Sequence, residues 1–149
     1  MIDRFFEDFT VGDTFETGTM AVNEDDIVDF ARRFDPQPWH LDAHIASTSP
    51  FKGLVASGWH TAAITMRLFV DSGVMRATGI LGLGVDELRW LKPLRPGTTV
   101  HVRAEVKSLE PPAPDRHAGT MRVHLSTIDQ AGETVQTEVA ILRVRIRPH

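Results

Sequence analysis

A carboxylate and an imidazole lie five residues apart in the segment DPQPWH, where Asp35 is the first residue and His40 the last. Asp is ionised at neutral pH and His exchanges a proton near pH 7, so the pair suits proton transfer to or from a substrate or a water molecule. The two prolines between them restrict the backbone and would hold the groups at a fixed separation. The same residues also fit a simpler interpretation, in which Asp35 caps a turn and His40 is an ordinary loop residue.

A second segment of interest, GLVASGWH, covers residues 53–60 and leads into an apolar stretch. If Gly58 begins a helix there, its backbone N–H is unpaired and lies at the positive end of the helix dipole. Because glycine has no Cβ, a ligand carbonyl could approach that N–H closely. Such a donor stabilises the enolate of a thioester. The alternative is structural: Ser57 caps the helix and Gly58 allows a tight turn.

These residues belong to a chain with a helical first half and a strand-rich second half. A first strand is predicted over residues 14–22, and Asn23 is a suitable N-cap for a helix that Pro36 ends. The apolar face of this helix follows the i, i+3, i+4, i+7 spacing: Ile27, Phe30, Ala31 and Phe34. A short helix is predicted over residues 42–49, before Pro50. Residues 59–70 are apolar almost all round, which is typical of a buried helix.

The second half alternates apolar and polar residues with a period of two, as strands do. Strands are predicted near residues 83–90, 100–107, 121–126 and 134–145, and the Pro-rich residues 110–115 are predicted to be a loop between two strands. An antiparallel sheet and one apolar helix indicate an α+β fold in which the sheet wraps around that helix. The 149 residues suit a single domain over residues 1–149. One sheet leaves edges to cover, so we expect self-association.

Composition excludes several classes of function. The chain has no cysteine, which rules out disulfides, thiolate nucleophiles and Cys-type zinc sites. The net charge of -4 gives no reason to expect nucleic acid or an anionic membrane as a partner. Neither a signal peptide nor a long apolar run is apparent, so we expect a cytoplasmic protein. His40 and His44 stand four apart with Asp42 between them, but without a third ligand we expect no metal site.

The two segments together resemble the MaoC-like dehydratases, the R-specific enoyl-CoA hydratase group. The family motif runs Asp, any residue, Asn or Gln, Pro, any residue, His, with a small residue six positions later, which is Ala46 here. The predicted order of elements extends the resemblance over nearly the whole chain. It implies a hotdog fold, with an antiparallel sheet around a long central helix at about residues 58–72. It also implies a homodimer or a dimer-based assembly with active sites near the subunit interface.

The resemblance further implies a function: reversible hydration of trans-2-enoyl thioesters to (R)-3-hydroxyacyl thioesters. Asp35 and His40 would be catalytic, and Gly58, Ser57 and Gln37 would bind the substrate. The acyl group would be carried by CoA or by acyl carrier protein, with no other cofactor. Many relatives have Asn at the position of Gln37 and His at that of Ser57, which puts the preferred acyl chain and the rate in question.

Two other functions stay open at this point. Hotdog proteins also include acyl-CoA thioesterases, many of which resemble one another in having a catalytic carboxylate on the central helix. Residues 59–70 contain no Asp or Glu, and Asp71 lies only at the far end. The other is a non-catalytic subunit that binds an acyl thioester. Arginines on the strand faces (Arg89, Arg103 and Arg122) fit a solvated face better than a site for the CoA phosphates.

Overall fold

The computed structural model describes residues 2–149, in which five strands form one antiparallel sheet. The strands are Thr14–Ala21 (β1), Leu81–Trp90 (β2), Thr99–Glu110 (β3), Ala118–Asp129 (β4) and Thr134–Arg145 (β5). Their order in the sheet is β1-β3-β4-β5-β2, so β1 and β2 are the edge strands. The loop between β3 and β4 contains the three prolines, as predicted.

Within residues 2–149, four α-helices and one short 3-10 helix accompany the sheet. The 3-10 helix is Phe6–Asp8, and the α-helices are Glu24–Phe34 (α1), Pro38–Leu41 (α2), Ala43–Ser47 (α3) and Gly58–Asp71 (α4). Helix α4 lies against the inner face of the sheet, where it contacts β1 and β3. The sheet therefore wraps around a central helix close to the predicted residues 58–72. No helix in residues 2–149 combines the length and the apolar character needed to cross a membrane.

The core lies between α4 and the inward side chains of β3, β4 and β5. Every second residue is buried along the whole of β4 and over residues 99–106 of β3. The buried residues of β3 are those that the period of two predicts: Val100, Val102, Ala104 and Val106. From α4, Ile64, Leu68 and Phe69 complete this apolar layer. Burial of this contiguous apolar surface is the main stabilising contribution to the fold.

Helix α1 follows its predicted boundaries but not its whole predicted face. The side chain of Asn23 accepts a hydrogen bond from the Asp26 N–H at 2.8 Å, which confirms the predicted N-cap. Ile27 and Ala31 are fully buried. Phe34, however, is 64% exposed, so its predicted place on the buried face is wrong. It is the last residue of the helix, where its ring lies 5.1 Å from the Phe30 ring between centroids and the Arg33 guanidinium lies 5.2 Å from its centroid.

Helix α2 is an element that the sequence did not reveal. The Pro-Gln-Pro segment predicts a stiff connection, but Pro38 is the first residue of one helical turn. Proline is tolerated there because its missing N–H would have no partner in a first turn. The next helix, α3, lies inside the predicted residues 42–49, and the Asp42 carboxylate caps it by accepting from the N–H groups of His44 and Ile45.

Candidate active site

The side chains of Asp35 and His40 lie close together, although they belong to two consecutive helices. Asp35 is the C-cap of α1, where its N–H donates to the carbonyl of Ala31 at 2.9 Å. Pro36 prevents the helix from continuing, because it disfavours helical geometry in the residue before it. The chain then turns into α2, which contains His40. The turn places the Asp35 Oδ2 atom 3.4 Å from the His40 Nε2 atom.

The Asp35 carboxylate is largely buried and accepts two hydrogen bonds. The Ser57 hydroxyl donates to Oδ2 at 2.7 Å, and the Gln37 side-chain amide donates to Oδ1 at 2.7 Å. Burial raises the pKa of Asp35, but the hydrogen bonds from Ser57 and Gln37 and the charge of His40 together outweigh it, so the net effect lowers the pKa. The carboxylate is therefore ionised at neutral pH, and Asp35 lines the pocket described below.

A backbone contact fixes the orientation of the His40 ring. Its side chain is 8% exposed, and its Nδ1 atom lies 2.7 Å from the Val55 carbonyl oxygen. A carbonyl only accepts hydrogen bonds, so Nδ1 must carry the hydrogen, and in the neutral ring the lone pair is on Nε2. The Val55 N–H in turn donates to the carbonyl of Trp39 at 3.2 Å. The ring therefore presents a second acceptor beside Asp35.

Ser57 joins this acid–base pair to the start of α4. It is fully buried and is the N-cap of the helix, with its Oγ atom accepting from the Trp59 N–H at 3.3 Å. The same hydroxyl donates its hydrogen bond to the Asp35 carboxylate. Ser57 therefore caps the helix, as the structural interpretation predicted, and also contacts Asp35; its role in binding the substrate stays a prediction. The Gly58 N–H, the first of the helix, donates to no group in the described part of the chain.

Glycine is required at position 58 for a reason that differs from the predicted one. A Cβ atom there would lie 2.4 to 2.8 Å from three carbons of the Trp90 indole, closer than any real contact. The Trp90 ring therefore occupies the space that a side chain at position 58 would fill. That the missing Cβ also lets a ligand carbonyl approach the N–H of Gly58 stays a prediction.

The acid–base pair and Gly58 line one pocket of about 470 Å³. This volume is in the range of small-molecule sites. Aromatic and aliphatic side chains surround the polar groups, among them Trp39, Phe51, Trp90 and Leu94. The structure therefore brings together all five residues that the sequence singled out, namely Asp35, Gln37, His40, Ser57 and Gly58. Their catalytic and binding roles stay predictions. Trp90 was missed, because nothing in its local sequence distinguishes it from any other residue at a strand end.

Several other candidate residues have structural partners. Asp42 is occupied as the cap of α3, and within residues 2–149 no three His, Asp or Glu side chains are grouped so that they could hold a metal ion. Asp71 is the last residue of α4, and its carboxylate pairs with the Arg67 guanidinium at 2.7 Å. Two of the strand arginines pair with surface carboxylates, Arg103 with Glu16 at 3.7 Å and Arg122 with Glu110 at 3.6 Å.

We expect Ser57→Ala to raise the pKa of Asp35, because it removes the first hydrogen bond that lowers it. NMR titration of the Asp35 carboxyl carbon measures the change. Because the pKa of Asp35 is lower in the folded than in the unfolded protein, its ionisation stabilises the fold above the unfolded pKa of 3.8, and this contribution is lost as the pH falls through the folded pKa. The Ala variant should therefore also have a smaller contribution of Asp35 to the free energy of unfolding. Ser57→Thr, which keeps the hydroxyl, is the control and should titrate as the wild type does. An unchanged pKa in the Ala variant would refute this role of Ser57.

Three comparisons with known proteins agree with this architecture. The sequence model of the MaoC like domain family matches residues 7–128. The chain is 45% identical to the MaoC-like dehydratase from Rhodospirillum rubrum, whose crystal structure superposes with a TM-score of 0.93 over 98% of this chain and 99% of that one. The unliganded R-hydratase PhaJ1 from Pseudomonas aeruginosa superposes with a TM-score of 0.77 at 27% identity, over 96% of this chain and 86% of that one. Both confirm the hotdog fold.

A curated relative is also similar in sequence. The 3-hydroxybutyryl-CoA dehydratase of Methylorubrum extorquens is 34% identical over 112 residues, which are 72% of this chain and 66% of that protein. The chain therefore spans about two thirds of the length of this relative.

Proposed function

The chain belongs to the MaoC-like domain family, and on that premise we propose that it hydrates trans-2-enoyl thioesters reversibly to (R)-3-hydroxyacyl thioesters. The observation that carries the proposal is the ionised Asp35 carboxylate, 3.4 Å from His40 Nε2, in the pocket that Gly58 also lines. The names of two relatives, an R-hydratase and a 3-hydroxybutyryl-CoA dehydratase, support the reaction class and its R stereochemistry. The chain would accordingly be a hydro-lyase.

In the first step, Asp35 and His40 hold one water molecule between their two acceptors. Asp35 takes a proton from the water while the oxygen forms a bond to C3 of the enoyl thioester. The electron pair of the C2–C3 double bond moves towards the carbonyl, and the thioester oxygen gains negative charge. The free Gly58 N–H, at the positive end of α4, donates to that oxygen. General base catalysis contributes about 10²–10⁴ to such a rate, and one oxyanion donor about 10²–10³.

In the second step, the proton on Asp35 moves to C2 and the carbonyl re-forms. The lowered pKa of Asp35 favours this transfer, because a carboxyl that is readily ionised gives its proton up easily. The carboxylate returns to its starting state, and Ser57 and Gln37 keep it in place through both steps. No group is consumed, so the same residues catalyse the reverse dehydration.

The carrier of the acyl group would be part of the substrate. We propose that the acyl group arrives as a thioester of CoA or of acyl carrier protein. The 3-hydroxybutyryl-CoA dehydratase similarity supports the CoA form. Neither step needs a metal ion or a redox cofactor, because Asp35 moves the proton and Gly58 stabilises the charge.

Incubation of the protein with crotonyl-CoA tests this function. Absorbance of the conjugated enoyl thioester and release of free thiol are followed together. The proposal predicts that the conjugated thioester disappears without free thiol. Release of free CoA would instead mean a thioesterase, and binding without reaction would mean a non-catalytic acyl-thioester subunit.

We further propose that two copies of the chain form a homodimer through β2 and α4. Strand β2 is an edge strand, and most of its side chains are exposed. The exposed large apolar residues of β2 and of the segment after it are Leu81, Leu83, Val85, Trp90 and Leu91, and those of α4 are Trp59 and Val70. Apolar surface of this kind marks a protein interface. A second copy fits it best, because two β2 edges related by a two-fold axis can pair and continue the sheet.

We expect Leu83→Lys to dissociate the dimer, because it places a charge on the edge of each copy at the same interface. Loss of a central interface residue costs about 2 kcal/mol or more, which weakens association roughly 30-fold. Sedimentation across a concentration series measures the dissociation constant. Val11→Lys, at an equally exposed residue away from β2, is the matched control and should stay dimeric. A monomeric wild type, or a dimeric Leu83→Lys, would contradict the proposed interface.

A further inference from the structure

Trp90 forms a wall of the pocket directly beside the proposed oxyanion donor. Its indole lies so close to Gly58 that no Cβ could fit between them. The ring also lines the pocket and meets Trp59 edge to face, with centroids 5.2 Å apart. Because Gly58 begins α4, the indole lies next to the end of the helix where the thioester carbonyl would bind.

A chain of buried polar groups holds this indole in place. The Trp90 Nε1–H donates to the Gln136 side-chain oxygen at 2.9 Å. The Gln136 amide then donates to the Thr65 hydroxyl at 3.1 Å. Thr65 lies 2.6 Å from the Thr127 hydroxyl and donates to the Thr61 carbonyl at 2.9 Å. Gln136, Thr65 and Thr127 are all completely buried.

These hydrogen-bonded polar groups lie in a mainly apolar layer, in which Glu138 of β5 and Thr61 of α4 are also buried. Gln136 and Thr127 are inward residues of β5 and β4, and Thr65 faces them from α4. Burying an amide and two hydroxyls costs free energy unless all are hydrogen-bonded, and apolar residues of the same size would fill the layer more simply. The network ends at one partly exposed group, the Trp90 indole. Because Trp90 lines the pocket, the network affects the pocket by orienting this ring.

We propose that Trp90 determines acyl specificity, selecting against thioesters branched at C2, and that Gln136 is the residue that positions it. This rests on the proposed function. C2 is bonded to the carbonyl carbon, so when Gly58 holds the carbonyl oxygen, a substituent on C2 is directed to the space beside Gly58. The indole fills that space and is fixed by its hydrogen bond to Gln136. Linear 2-enoyl thioesters fit beside the ring, whereas a 2-methyl group meets it.

The test compares kcat/KM for a linear enoyl-CoA and its 2-methyl analogue of equal chain length. One methyl group in an apolar pocket changes this ratio about 10- to 200-fold. Trp90→Ala should therefore shift the ratio at least about 10-fold towards the branched substrate. Gln136→Met, which keeps the side-chain volume but cannot hold the indole in the same way, should shift it in the same direction. An unchanged ratio in Trp90→Ala would overturn the specificity role.

A double variant separates positioning from a general structural effect. Trp90→Phe keeps an aromatic ring but has no N–H for Gln136 to accept. If Gln136 acts through the indole, adding Gln136→Met to Trp90→Phe should leave the ratio as it is in Trp90→Phe alone. Equal shifts by Gln136→Met in both backgrounds would overturn the positioning role. Thermal unfolding of each variant reports any separate loss of stability.

Two readouts do not require turnover. The Trp90 indole N–H should exchange slowly with solvent in NMR spectra, and faster in Gln136→Met, because it loses its buried acceptor. If the wild type hydrates neither thioester, the proposed function fails, and the ratio of the two dissociation constants from calorimetry replaces the kinetic ratio. Rapid indole exchange in the wild type, or a ratio of dissociation constants that Trp90→Ala leaves unchanged, would then overturn the inference by itself.

Discussion

Replacing Asp35 with Asn is expected to lower kcat for enoyl-thioester hydration by about 10²–10⁴, because the variant loses the general base. The amide has nearly the shape of the carboxylate and can still accept the hydrogen bond from Ser57. It has no negative charge with which to take a proton from water. Steady-state kinetics on crotonyl-CoA measure the loss, and circular dichroism with thermal unfolding checks that the fold is kept.

Asp29→Asn is the matched control for this variant. Asp29 lies on α1, the helix that Asp35 caps, but its side chain is 70% exposed and pairs with Arg32 at 3.6 Å. A surface pair of this kind contributes little, so the control should retain both activity and stability. Near wild-type turnover by Asp35→Asn on every enoyl thioester would exclude Asp35 as the base.

Gly58→Ala is expected to lower kcat by about 10²–10³, comparable with the loss of one oxyanion-hole donor. The added methyl group would lie 2.4 Å from the Trp90 ring, so either the indole or the first turn of α4 must move. Either movement takes the Gly58 N–H away from the thioester oxygen. Kinetics report the loss, and the fluorescence of the tryptophans should change as the indole moves.

Two variants make this result specific to the site. Gly18→Ala adds the same methyl group where no atom lies within 4 Å, and it should leave turnover unchanged. Combining Gly58→Ala with Trp90→Ala removes the ring that the methyl group meets, and it should restore part of the lost rate. If Gly58→Ala were as active as the wild type, the first N–H of α4 would not be the donor.

The sequence predicted the features that depend on local pattern. Asn23 and Pro36 set the ends of α1, because capping and proline geometry act within a few residues. Alternation along β3 and β4 predicted which side chains are buried, since a strand has a fixed period of two. The order of these elements predicted an antiparallel sheet around one helix, and the resemblance of the two motif segments to the MaoC-like dehydratases implied the hotdog fold that the structure and the comparisons show.

Contacts between distant parts of the chain could not be predicted in the same way. Ser57 lies 22 positions from Asp35, and Gln136 lies 46 positions from Trp90. No local pattern encodes such pairs, because they depend on how α4 settles on the sheet. The need for glycine at position 58 was predicted from ligand access, yet the contact that requires it comes from the end of an edge strand.

The two residues that the resemblance implied would differ from many relatives both contact Asp35. Gln37 and Ser57 each donate a hydrogen bond to its carboxylate at 2.7 Å. Ser57 is a neutral donor that also caps α4. These two residues therefore keep Asp35 ionised and oriented, which is what the proposed reaction requires.

The most direct test of the central claim traces the oxygen that the protein adds to its substrate. Crotonyl-CoA is incubated with the protein in water enriched in the heavy oxygen isotope, and the product is identified by mass spectrometry and chiral analysis. Water activated by Asp35 and His40 predicts (R)-3-hydroxybutyryl-CoA with one heavy oxygen at C3 and an intact thioester. Heavy oxygen in a free carboxylate with released CoA, or recovery of unchanged crotonyl-CoA, would contradict the claim.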